Sequence, residues 1–145
     1  PRLSKLMIVL VTASVPIAIF NTLSLIGAQW LAEAPTYLSS FSAEQLNALC
    51  LFFIELNEYG IITVEIFWGL WLLPLGLLII KSKFIPKIIG MLLVLGCFAY
   101  LIESLLGLLF PEIRAAISPF LMIPLALGEF SIVLWLLIKG VRTVK

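Results

Sequence analysis

Four residues whose side chains could do chemistry lie where soluble proteins rarely keep them. Glu65, Glu103 and Glu129 each interrupt a long apolar run, and Asn21 interrupts a fourth. A charged side chain at the centre of a membrane helix costs roughly 2.5–3.5 kcal/mol on insertion scales, so each acid needs a partner or a proton. The chemistry open to such groups is proton or cation handling, the lining of a polar pocket for an amine-bearing or lipid-like ligand, or hydrogen bonding between helices. Burial and neighbouring like charge both disfavour ionisation, and at least one of the acids is expected to be protonated at neutral pH.

The remaining residue types narrow the choice. The chain has no His and no Asp. A Ser–His dyad within this chain is therefore excluded, and no H-E-x-x-H, G-x-S-x-G or Walker loop is present. A pair of glutamates acting as an aspartyl-type dyad is the one enzymatic geometry left, and nothing else in the sequence supports it. Cys50 and Cys97 have no metal or redox spacing and read as two buried thiols. No metal and no cofactor is implied.

The elements that must hold these residues follow from composition. Of 145 residues, 63% are hydrophobic and 12% charged, and the mean hydropathy is +1.22. Soluble domains run nearer half apolar and a quarter charged, so lipid is the expected solvent and the bilayer the first partner. A net charge of +1 gives no reason to invoke nucleic acid. The reading is all-α: one transmembrane helical domain over residues 1–145, with four spans near 6–31, 60–80, 88–110 and 117–138. An amphipathic interfacial helix is expected near 43–58, opened by the S-x-x-Q capping box of Ser42 and Gln45. The alternative is that 43–58 runs on into the second span. Pro111–Ala116 reads as a short loop. The run from Leu6 to Leu31 is too long for a signal-peptide core.

Basic residues set the expected orientation. Arg2, Lys5, Lys81, Lys83, Lys87, Lys139, Arg142 and Lys145 fall on one side of a four-span path, and Arg114 alone falls on the other. The positive-inside rule then makes both ends and the Lys81–Lys87 turn cytoplasmic. On that path the three acids and Asn21 lie between the outer interface and the bilayer centre. Glu129 is deepest, and no cation is expected at their level. Glu55 and Glu58, near the outer surface, read as a solvated face or as a vestibule.

Faces at 100° per residue place small residues beside the acids. Gly69 and Gly76 lie within about 40° of Glu65, and Gly96, Ala99 and Gly107 within about 40° of Glu103. Small residues let helices approach closely in a membrane, so a neighbouring helix should supply each acid with a partner such as Asn21, Tyr100 or Ser104. Glu65–Gly76 and Glu129–Gly140 also echo one another: Glu, the Leu-Trp-Leu-Leu run and the closing Gly recur sixty-four residues apart. Duplication of a helical hairpin and the commonness of L-W-L-L in membrane spans both account for it.

Several blocks together resemble a bacterial membrane family known as domain of unknown function 4386. They are Val15-Pro16, Tyr37-Leu38, Phe41 to Leu46, Tyr59-Gly60, Phe67 to Gly76, Ser82 with Pro86, Tyr100 to Ser104, Ile117 to Phe120, and Gly128-Glu129 with Leu134 to Gly140. Asn57 and Glu65 depart from the family's pattern, while Glu103 and Glu129 fit it. The resemblance implies an inner-membrane protein of about six helices, of which this chain, beginning at Pro1, would lack about two at its N-terminus. It implies no activity. Two functional classes stay open: a small transporter or ligand-binding membrane protein that uses the acids on a small molecule or a proton, and a structural or partner-binding subunit whose acids join helices. The oligomeric state is not indicated.

Overall fold

Four apolar helices account for nearly the whole chain. The computed structural model describes residues 2–140: α1 (Arg2–Ala32), α2 (Ala43–Lys81), α3 (Lys87–Leu109) and α4 (Pro111–Lys139), with a short 3-10 turn at Thr36–Leu38. Among the described residues there is no strand. All four helices are long and apolar enough to cross a membrane. Arg142 and Lys145, which enter the charge argument above, lie outside the described residues.

Two expected boundaries are corrected. The 43–58 segment is not a separate interfacial helix: α2 is continuous over 39 residues, roughly 58 Å at 1.5 Å per residue. Nothing between Asn57 and Gly60 breaks it, because Gly60 is held against α1. A Cβ at Gly60 would collide with the amide of Asn21. The capping box does open this helix, with Gln45 N–H donating to Ser42 Oγ at 3.2 Å and Ser42 N–H to Gln45 Oε1 at 2.8 Å. Second, Pro111–Ala116 is helix, not loop. Phe110 ends α3 and also precedes α4. Pro111 at the first helical position has the φ a helix needs and no N–H to leave unsatisfied, so α4 starts at once and carries Arg114 on its first turn.

The helices form an open antiparallel row. Backbones pack α1 on α2, α2 on α3 and α3 on α4, with no other pair of helix backbones adjacent among the described residues. The inner pair carries the core, in which Leu72, Ile79, Ile89, Leu93 and Cys97 are buried. Glycine sets its tightness. A Cβ on Gly76 would stand 2.7 Å from the Gly90 carbonyl oxygen, and one on Gly90 as close to that of Gly76. Gly69 seats against Tyr100, and Gly128 brings α4 onto the Leu92 backbone. The outer faces of α1 and α4 are apolar and exposed, as at Phe20 and Leu137, the pattern expected of lipid-facing helices.

Candidate functional site

Glu65 and Glu103 come level because α2 and α3 are antiparallel. Glu65 stands sixteen residues before Lys81, the last residue of α2, and Glu103 sixteen after Lys87, the first of α3, about 24 Å from that end in each case. Arg114 of α4 joins them. Its Nε donates to Glu103 Oε1 at 2.9 Å, and its Nη2 lies 4.0 Å from Glu65 Oε2. Ser118, one turn further along α4, donates its hydroxyl to the same Glu103 oxygen at 2.7 Å. Glu103 is 4% exposed. Its Oε2 is buried without a hydrogen-bond partner, as is Glu65 Oε2.

This overturns the expectation that no cation stands at the level of the acids. A loop residue would keep its guanidinium in water. On the first turn of α4 Arg114 instead extends its stem along α3 past Gly107. The missing side chain there leaves room: a Cβ at Gly107 would lie 3.1 Å from Arg114 Cδ and 3.0 Å from Ile62 Cδ1. A long arginine stem can lie on apolar surface while its head reaches a polar group several ångströms away. The two acids and one arginine form a partly neutralised cluster. It is stabilised by charge-assisted hydrogen bonds that are stronger than neutral ones.

The other expected residues lie apart from it. Among the described residues Asn21 bonds no acid. Its Nδ2 donates to the Asn57 carbonyl at 3.1 Å, and Asn57 Nδ2 donates to the Asn21 carbonyl at 3.2 Å. This reciprocal clasp joins α1 to α2. Ser104, expected as an acid's partner, is fully buried with its hydroxyl unbonded. Glu129 lies ten residues before Lys139, about 15 Å from that end, and its carboxyl stands beside the Tyr100 hydroxyl of α3. Tyr100 also seats against Gly69, one turn after Glu65 on α2. Polar groups therefore succeed one another from Ser118 and Arg114 through Glu103 and Glu65 to Tyr100 and Glu129.

A cleft of about 600 Å³ opens onto the upper end of this series, lined by Glu55, Glu58, Tyr59, Ile62, Arg114 and Ser118 among others. Its size lies in the range of small-molecule pockets. Glu55, Glu58 and Ile62 follow one another at three and four residues on α2, a single helical stripe that continues to Glu65. The two rim acids therefore face the cleft as a vestibule would. Among the described residues no three His, Cys, Asp or Glu side chains gather closely enough to hold a metal ion. Ser118 and Asn57 were missed as site and clasp residues. Ser118 sits four residues after Arg114 on the same helix face, a usable signal once α4 is known to include Arg114.

Comparison with known proteins adds one finding. The profile of the domain of unknown function family DUF4386 matches residues 1–140, and the chain belongs to that family. No curated protein and no solved structure gives a significant match.

Proposed function

We propose that this multi-pass membrane protein binds a small polar ligand in the cleft above Glu103 and moves it, or a proton with it, across the bilayer. The observation that carries the reading is the floor of the cleft: Arg114 and Ser118 line it, and both bond the buried Glu103. Ligand in the cleft thus contacts groups directly coupled to an intramembrane acid, the position where transporters keep coupling residues. The orientation belongs to the same proposal. Positive-inside asymmetry puts the Lys81–Lys87 turn and both chain ends in the cytoplasm of a bacterial inner membrane, and the cleft then opens outward. Glu129, near the midplane beside Tyr100, is the proton-accepting end of the polar series.

One observation favours a second reading. Glu103 Oε1 already has two partners, and the Asn21–Asn57 clasp shows polar groups joining helices in the same chain. On that reading the acids are interhelical bonding groups and nothing moves. A ligand- and proton-flux screen on the protein in liposomes separates the two. Flux that Glu103→Gln or Glu129→Gln abolishes, with the fold retained, supports transport. A correctly inserted protein that passes no member of the screen supports the structural reading.

A further inference from the structure

The cleft carries opposite charges on facing walls, and neither set is used up by the protein. Arg114 has five N–H donors, of which only Nε–H makes a hydrogen bond among the described residues. Nη2 reaches only the 4.0 Å contact with Glu65. The guanidinium is therefore tethered by one edge to Glu103 and presents the rest of its fork to the cleft it lines. A planar fork with free N–H groups matches the two oxygens of a carboxylate or phosphate. On the α2 wall, Glu55 and Glu58 are exposed and have no ion-pair partner among the described residues. They suit an ammonium. A simple anion would meet both rim acids, and a simple cation would meet Arg114. A molecule bearing both charges meets a complement at each end.

We propose, resting on the ligand-binding reading above, that the ligand of this cleft is a zwitterion. Its ammonium is held by Glu55 and Glu58, and its carboxylate or phosphate by Arg114 with Ser118 beside it. The acid end leaves both hydrogen bonds to Glu103 in place, because Ser118 and Arg114 Nε stay on it while the η nitrogens, whose one other contact is the 4.0 Å ion pair with Glu65, take the ligand. Two sources share this chemistry: a free amino acid or phosphoamine, and the headgroup of an aminophospholipid.

The test uses the whole protein in nanodiscs of phosphatidylglycerol, which carries no ammonium. Calorimetric titration compares β-alanine and phosphoethanolamine with their halves, ethanolamine and propionate. The zwitterions should bind at least tenfold more tightly than either half. The double variant Glu55→Gln, Glu58→Gln alters exposed rim residues and should fold; it should bring zwitterion affinity down to that of propionate. Doping the discs with phosphatidylethanolamine should weaken soluble zwitterion binding if the lipid headgroup is the source and leave it unchanged if a free solute is; either result supports the proposal. Ethanolamine or propionate binding as tightly as the zwitterions would overturn it while leaving a ligand cleft in place. Absence of binding by all four probes would overturn it as well. The cleft reading is then judged separately by flux and by the accessibility of position 118.

Discussion

Arg114 reaches across the α3–α4 junction to hold Glu103, eleven residues earlier in the chain, through a 2.9 Å hydrogen bond. The bond spans the tightest connection in the molecule, the single residue Phe110. It makes the α3–α4 hairpin and the candidate site one unit: whatever moves α4 moves the partner of the buried acid.

Removing that partner should be costly. Arg114→Ala leaves the Glu103 carboxyl buried with only Ser118. Breaking a buried pair costs about 3–5 kcal/mol, and since Arg114 is 30% exposed a loss of roughly 2–4 kcal/mol is expected. Glu103→Gln in the Arg114→Ala background should recover more than half of it, because the orphaned charge is gone. Reversible unfolding in detergent measures both, and an Arg114→Ala protein as stable as the parent would refute the pairing.

Glycine substitutions should rank by what they strike. Gly76→Ala drives a methyl against the backbone carbonyl of Gly90, which cannot turn aside, and should cost about 1–3 kcal/mol. Gly107→Ala meets side-chain atoms of Ile62 and Arg114 at 3.0–3.1 Å rather than a backbone carbonyl at 2.7 Å, so its cost should be smaller. The order of the two midpoints in the same unfolding assay checks the packing, and the reverse order would contradict it.

Much of this was legible in the sequence, and the rest for physical reasons was not. Apolar runs and the Ser42–Gln45 capping box are local signals, and they located the spans and the start of α2. The 100° periodicity put Gly69 and Gly76 beside Glu65, and these glycines do meet α3. What escaped were contacts set by side-chain reach and by pairing far along the chain. Arg114 looked like a loop residue because Pro111 reads as easily as a turn as it does as a helix start. The Asn21–Asn57 bonds join positions 36 residues apart, and no pattern within either helix announces them. The open row of helices is likewise a property of pairing rather than of any one segment.

The clasp between α1 and α2 should be structural only. Asn21→Ala and Asn57→Ala each remove one side-chain bond to a helix carbonyl, and each should cost about 0.6–1.7 kcal/mol, the range found for hydrogen bonds between membrane helices. The two residues touch one another, so the double variant should depart from the sum of the single losses. Ligand binding in the cleft should be unaffected. A change in binding equal to that of an Arg114 variant would place Asn21 in the site after all.

At Glu129, size and titration can be separated. Glu129→Gln keeps the size and bonding capacity of the side chain beside Tyr100 and should unfold nearly as the parent does, whereas Glu129→Leu should lose roughly 0.6–2 kcal/mol. If Glu129 accepts protons, the Gln variant should also lose any pH-dependent flux. A Gln variant matching the parent at every pH would leave Glu129 a bonding group alone.

On the proposed orientation the Arg114–Glu103 site is reached from outside the membrane through the cleft. Thiol accessibility tests it directly. Cys50 and Cys97 are free and can be replaced to give a cysteine-free background. Ser118→Cys in that background places a thiol at the floor of the cleft, and Lys83→Cys places one in the opposite turn. In intact cells a small membrane-impermeant thiol reagent should label position 118 and leave position 83 untouched until the membrane is opened. Labelling of position 83 from outside, or of position 118 only after the membrane is opened, would contradict the account.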